Sequence, residues 1–328
     1  MKAWEVQNLG LPWDEMVLVD RPSPDCGADQ VRIAVAAADL NFADILQCQG
    51  QYQVKVSPPF VPGMGAAGTV LEAGDDSGFN PGDKVVGPTV AGSGGYAQEA
   101  LLFAPQATAV PDNIDLLQAA AMHVTYGTAW FALYHRGQLR AGETVLVLAA
   151  AGGVGSAAVD MAKQEGCWVV AAASAGKAQH CLDLGADEFV DYDDEHWYDR
   201  VMELTGGRGL DVVYDPVGGK YFDVARRLVA WEGRLLIVGF ASGDIPSAAM
   251  NHALVKNYSL VGVHMGGYRQ KDPKPFDECY RALYEMLAAD KLHPLIDRIV
   301  GLEDLPDALR DLYERRSVGR LMLRPDAN

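Results

Sequence analysis

The sequence predicts an α/β protein built on a doubly wound parallel sheet, joined to a second, mostly β domain. Three observations carry this. Short apolar runs alternate with helical stretches through the second half of the chain. Those runs are apolar through their centres rather than on alternate residues. And a glycine-rich turn, AAAGGVGSAAVDMAKQEG (Ala149 to Gly166), follows directly on the first of them, ETVLVL. Strands apolar throughout are buried on both faces, which is what helices on both sides of a parallel sheet produce.

Up to about residue 120 the pattern is different: VRIAVAAADL (Val31 to Leu40), GAAGTVLEAG (Gly65 to Gly74) and DKVVGPTV (Asp83 to Val90) lie between Pro, Gly and Asp turns, as strands of a β-rich region do. From about Leu117 a long apolar stretch, LLQAAAMHVTYGTAWFALYHRG, reads as a helix with an interruption at Gly127. Strands and helices then alternate. TVLVLA from Thr144 precedes a helix over Val154 to Glu165, and WVVAAA from Trp168 precedes one over Lys177 to Leu184. EFVDY from Glu188, a helix near Glu195 to Leu204, DVVYD from Asp211 and a helix near Tyr221 to Val229 come next. RLLIVG from Arg234 and YSLVGV from Tyr258 complete the series, the order of a nucleotide-binding sheet. GGYRQKDPKPF, a helix near Phe276 to Asp290 and a last strand in SVGRLMLRP form a tail too short for a domain. The expected division is therefore 1–122 with 266–328 returning to it, and 123–265 as the sheet domain.

Ala150-x-Gly152-x-x-Gly155 matches the dinucleotide fingerprint with alanine in first place. The glycines serve a tight turn, backbone approach to a pyrophosphate and close helix–strand packing, while the helix N-terminus supplies free N–H donors. Its position between a strand and a helix is the context that makes the motif informative. NAD sites carry an acid about 20 residues further on, to bind the ribose 2′-hydroxyl. Here the second strand ends in Ala171-Ala172-Ala173-Ser174-Ala175-Gly176-Lys177, with no carboxylate. Ser174 and Lys177 suit a 2′-phosphate by hydrogen bond and charge, so the reading is NADPH, against Lys177 as a plain surface lysine.

Net charge is −17 and the pI about 4.7. Nucleic acid and anionic membranes are bound through basic contacts, so neither is an expected partner. The start, MKAWEVQNLGLPW, lacks a signal peptide's apolar core, and no run approaches a membrane span, which predicts a cytoplasmic protein. The 5 cysteines are scattered without C-x-x-C, and no H-E-x-x-H occurs.

The chain resembles the zinc-independent medium-chain dehydrogenase/reductases, in their NADPH:quinone oxidoreductase branch. The resemblance runs the whole length. It rests on NFADILQCQGQY (Asn41 to Tyr52), PPFVPGMGAAGTVLEAG (Pro58 to Gly74) and GFNPGDKVVG (Gly78 to Gly87). It continues in AAAGGVGSAAVDMAK, LGADEFVDY, GLDVVYDPVGG and GRLLIVGFASG. It implies a GroES-like β domain, a Rossmann domain, and nicotinamide bound in the cleft between them. By the same resemblance Lys177 meets the 2′-phosphate, Tyr192 lies beside the adenosine phosphate, and Gly152, Gly153 and Val154 line the pyrophosphate. The loop Phe240-Ala241-Ser242 flanks the nicotinamide, and Asn41 lies near its ribose. Tyr192 as a strand-end aromatic and Phe240 as a core residue stay open.

Two departures stand out. The family's P-G-x-E-x-x-G is here Pro62-Gly63-Met64-Gly65-Ala66-Ala67-Gly68, which removes a carboxylate whose role must be met elsewhere or be absent. The family's C-terminal Gly-Lys is here Gly319-Arg320, keeping the charge but changing its geometry.

Zinc-dependent relatives place Cys in the first conserved loop and Gly-His-Glu in the second. The loops here read Asn41-Phe42-Ala43-Asp44 and Gly63-Met64-Gly65, so no metal is expected. Zinc acidifies an alcohol in those relatives. Without that electrophile the easier reaction is hydride donation to an electron-poor acceptor, a quinone or an α,β-unsaturated carbonyl. Asn41, Tyr52 and Tyr126 are candidate hydrogen-bond donors to it, Tyr126 being weighed against a core aromatic. Asp44 reads as holding Asn41 or Tyr52 in place. An enone or enoyl-thioester reductase, or an NADPH-binding structural or sensor protein, would share most of these motifs. An exposed edge strand near Tyr258 to Val263 predicts a homodimer, since pairing covers such an edge.

Overall fold

The computed structural model describes residues 1–52 and 54–327. It divides into one unit of Met1–His123 with Ile296–Asn328, and another of Val124–Leu295. In the first, the strands are β1 (Lys2–Val6), β2 (Met16–Asp20), β3 (Gln30–Asp39), β4 (Gly65–Ala73), β5 (Lys84–Pro88), β6 (Glu99–Phe103) and β7 (Thr108–Ala109). QVRIAVAAAD alternates buried and part-exposed side chains from Val31 to Ala37, so β3 turns Val31, Ile33 and Val35 to the core. It is the hub of its sheet, pairing antiparallel with both β4 and β6.

The chain returns to this unit at Ile296. Strand Ile296–Val300, helix Leu305–Tyr313 and strand Arg320–Leu323 form a parallel crossover, whose last strand pairs antiparallel with the end of β3, Met322 opposite Asp39. Leu302, Leu305, Leu309, Leu321 and Leu323 join Ile33, Ile45, Phe60, Tyr96 and Leu102 in one core.

The second unit holds β8 (Thr144–Leu148), β9 (Trp168–Ala173), β10 (Glu188–Asp191), β11 (Leu210–Asp215), β12 (Val229–Ile237) and β13 (Ser259–Gly262). All neighbours pair parallel, in the order β10-β9-β8-β11-β12-β13. Connections run outward from β8 in one direction and from β11 in the other, so the winding reverses between these two central strands. The helices Gly153–Gln164, Ala178–Asp183, Trp197–Leu204 and Gly219–Leu228 connect them.

Two expectations are corrected. The helix Leu116–Trp130 runs unbroken through Gly127 and widens only beyond it, into a π-helical turn over Phe131–Arg136. Gly127 is a place of close approach, for a Cβ there would sit 2.8 Å from both Met265 Sδ and Tyr280 Oη. The segment 266–295, expected to return to the β-rich domain, belongs instead to the parallel-sheet unit. Aromatic packing explains this. Phe131 meets Tyr268 at 4.5 Å and Phe276 at 6.3 Å between ring centroids, and Arg269 lies 4.1 Å over the Phe276 ring. Helix Lys274–Ala288 buries Phe276, Tyr280, Leu283 and Leu287 on one face.

Phe131→Ala should lower the unfolding free energy by about 3–5 kcal/mol in denaturant titration. Amide exchange should quicken in 274–288 and stay unchanged in β3, which confirms where that helix is anchored.

Candidate active site

In the parallel-sheet unit every strand delivers its following loop to the same edge. After β8 the chain turns through Ala149, held at φ 50, to Gly152, which caps the helix Gly153–Gln164. The turn closes by Gly152 N–H donating to Ala149 O at 2.8 Å. A Cβ on Gly155 would come within 2.1 Å of that same carbonyl, so only glycine lets the helix seat this close to the strand. Gly152, Gly153 and Val154 stay partly exposed at the helix start while Gly155 is buried. The first-turn N–H groups lack partners within the helix and carry its positive dipole end, a cradle for phosphate.

Beside it, β9 ends at Ala173, and the turn Ala175–Lys177 closes by Lys177 N–H donating to Ser174 O at 2.9 Å. Ser174 and Lys177 are both part-exposed here, and no carboxylate lies between Ala171 and Lys177. Tyr192 follows β10, its N–H donating to Ala173 O at 3.3 Å and its ring packing on Tyr221 at 4.5 Å. Tyr221 was not legible as part of this edge, since it comes from the start of a helix after β11. Its hydroxyl donates to Asp193 Oδ1 at 2.7 Å, and Lys220 Nζ lies 3.6 Å from the same oxygen. Those contacts tie up a carboxylate next to Tyr192.

Beyond β12, Ala241 and Ser242 N–H groups donate to Pro216 O and Val217 O at 3.0 Å each. This holds the loop Phe240–Ser242 against the end of β11, with Phe240 41% exposed rather than in the core. Thus Gly152, Gly153, Val154, Gly155, Ser174, Lys177, Tyr192, Phe240 and Ser242 share one sheet edge. A glycine-lined helix start beside a lysine and an acid-free strand end fits a dinucleotide carrying an extra phosphate.

Tyr126 does not join them. It is 2% exposed, and its hydroxyl donates to Asp160 Oδ2 at 2.7 Å, an oxygen that also accepts from His293 N–H at 2.8 Å. It is the core aromatic of the two readings.

The β-rich unit places Asn41 and Asp44 at the start of the helix Phe42–Cys48, which follows β3. Asp44 is fully buried and accepts three hydrogen bonds, from Asn41 N–H, Met64 N–H and the Tyr96 hydroxyl, each at 2.8 Å. It therefore holds Asn41 through the backbone, and joins the loops at Asn41 and Met64; Tyr52 is not among its hydrogen-bond partners. Burial, and then the negative charge of Asp39, raise its carboxyl from 3.8 to about 6. Tyr52, which follows the helix with its N–H on Leu46 O at 3.1 Å, has its phenol raised by burial and by the Asp44 charge.

Comparison with known proteins agrees with this layout. A family model for the GroES-like domain of alcohol dehydrogenase matches residues 27–112, and one for zinc-binding dehydrogenase matches residues 153–284. The quinone oxidoreductase-like protein 2 homolog of Nematostella vectensis is 39% identical over 326 residues, spanning 98% of this chain and 88% of the relative. The chain belongs to the quinone oxidoreductase branch of the medium-chain dehydrogenase/reductases. The β-rich unit is the GroES-like domain, and the parallel-sheet unit is the Rossmann domain. A mycobacterial protein solved in complex with NADPH aligns with TM-score 0.89 and 30% identity, covering 99% of this chain and 100% of that one. The Escherichia coli quinone oxidoreductase complexed with NADPH aligns with TM-score 0.88 and 26% identity, covering 99% and 100%. Among the described residues, no group of three or more His, Cys, Asp or Glu side chains could hold a metal ion.

The raised Asp44 carboxyl has a signature. Between 3.8 and about 6 the folded state binds its proton more tightly than the unfolded chain. Stability therefore falls as pH rises through that window and levels above it. Asp44→Asn should flatten this slope in urea titrations at stepped pH, and lower stability by about 1–3 kcal/mol by turning an amide toward Asn41 N–H. An undiminished slope would assign the titration elsewhere.

Proposed function

We propose that this oxidoreductase uses NADPH to reduce quinones or similarly electron-poor acceptors. The observation that carries the reading is the acid-free end of β9, where Ser174 and Lys177 stand beside the helix start at Gly152–Val154. The helix N–H groups would hold the pyrophosphate, and Lys177 with Ser174 the 2′-phosphate by charge-assisted hydrogen bonds. Tyr192 would lie along the adenosine side, and Phe240 and Ser242 would border the nicotinamide. When bound, the cofactor supplies a hydride.

The remaining work belongs to the chain. Asp44 fixes the Asn41 backbone, so that residue can place a hydrogen bond without paying to order a loop. Asn41 and Tyr52 would donate to the acceptor oxygen as negative charge gathers on it, and a phenol raised by burial keeps its proton for that purpose. Such an acceptor needs alignment and a donor more than it needs a strong acid. Enones and enoyl thioesters ask for the same parts.

The reading is tested by titrating NADPH and NADH against the protein. NADPH should bind at least about tenfold tighter, and Lys177→Ala should remove most of that margin through loss of a charged contact. Equal affinities in the parent would reject the 2′-phosphate assignment. A panel of quinones, enals and enoyl thioesters then separates the acceptor classes, and a chain that binds NADPH without turning over any of them is a sensor or structural protein.

We also propose that the protein is a homodimer formed along β13. This strand ends the sheet, and the helix Met250–Lys256 before it leaves Met250, Leu254 and Val255 64%, 79% and 71% exposed. An open edge next to apolar side chains is covered economically by a second copy. Light scattering should give twice the 35.3 kDa chain mass; a monomer would reject it.

A further inference from the structure

Gly65 opens β4, one step beyond the Ala38–Ala66 pair of the β3–β4 ladder. A Cβ on Gly65 would lie 2.8 Å from Asp39 Oδ1. The space that a side chain at 65 would enter is therefore filled by the carboxylate of Asp39, from the end of the neighbouring strand. Asp39 is 2% exposed and pairs with Arg320 Nη2; Arg320 is 8% exposed. The same Nη2 donates to Asn41 Oδ1 at 3.0 Å. Arg320 Nε is buried with no hydrogen-bond partner, so the contacts to Asp39 and Asn41 run through one nitrogen.

The chemistry of these groups is directional. Arginine has only donors, whereas an asparagine amide offers oxygen on one side and NH2 on the other. The Asn41 side chain also caps its helix toward the Asp44 N–H, so with Arg320 as the charged donor on Oδ1, Asn41 presents its NH2 away from the guanidinium. A buried guanidinium is tolerable only with an anion beside it, and Asp39 is that anion. We infer that Asp39, acting through Arg320, is a positioning residue that sets the Asn41 amide donor-outward, and that it supplies from β3 the carboxylate missing at Gly65. The inference rests on Asn41 being a contact of cofactor or acceptor. A buried ion pair at the β3–Arg320 corner also serves the fold, so the test needs readouts that fold stability does not move.

Four proteins are compared with the parent: Asp39→Asn, Asn41→Ala, their double variant, and the exchange Asp39→Gly with Gly65→Glu. Each is checked by thermal unfolding, then measured for NADPH affinity by fluorescence titration, for the Asn41 side-chain amide signal by NMR, and for turnover of 1,4-benzoquinone. Asp39→Asn should shift the amide signal and lower kcat by about tenfold, as a misaligned donor does. The double variant should be no worse than Asn41→Ala alone, because one effect passes through the other. The exchange variant should recover kcat to within about threefold of the parent and return the Asn41 amide signal to its parental position, the second of which charge balance in the fold alone does not require. An unchanged amide signal in Asp39→Asn, losses that multiply in the double variant, or an exchange variant that folds but does not recover would each overturn the inference. Asn41→Ala with parental affinity and turnover would instead overturn the placement of Asn41, while the amide signal still decides whether Asp39 orients it.

Discussion

Six strands running the same way are the constraint on which the candidate cofactor site depends. Each parallel strand must end at the same edge of its sheet, so the loops after β8, β9, β10 and β12 are gathered there whatever their sequences. Selection then needs to adjust only short stretches. Gly155 lets a helix start close on β8, Ser174 and Lys177 stand at the end of β9, and Phe240 to Ser242 are tied to the end of β11. A shift of β9 by one residue would turn its following side chains to the other face of the sheet.

The β-rich unit uses a different device, the buried carboxylate. Asp44 and Asp39 are both almost fully buried, and their environments differ. Asp44 is surrounded by neutral donors, two backbone N–H groups and a phenol, and its carboxyl is pushed up to about 6. Asp39 faces a guanidinium. One carboxylate thus ties backbone to backbone, and the other balances a charge. Their proximity is part of the cause of the Asp44 shift, so the two arrangements are not independent.

Sequence patterning revealed the elements whose reasons are local. WVVAAA is apolar on every residue and DVVYD is apolar through its centre, and the parallel sheet follows from that; the helix predicted over Val154 to Glu165 lies at Gly153–Gln164. What it hid depends on residues far apart. The strand Ile296–Val300 has three exposed positions in five, too little apolar character to be seen. The polar run GGYRQKDPKPF looks like a boundary, yet its own Tyr268 and Phe276 rings pack on Phe131. Asp39 and Arg320 are 281 positions apart, and nothing near either one names the other. Tyr221 reaches the candidate site edge only because β11 sits where the winding reverses.

The filled space at Gly65 also bears on how such a sequence can change. A route between a glutamate at 65 and an aspartate at 39 by single substitutions passes through a chain with two carboxylates crowded together, or one with an arginine left alone in the core. Either intermediate is handicapped, so the two positions are expected to be inherited as a pair. A survey that scores positions one at a time would mark Gly65 as a lost residue and Asp39 as an unremarkable one. If Asp39 does stand in for a carboxylate at 65, the two positions form one charge moved between strands, and sister lineages should carry one arrangement or the other but seldom a mixture.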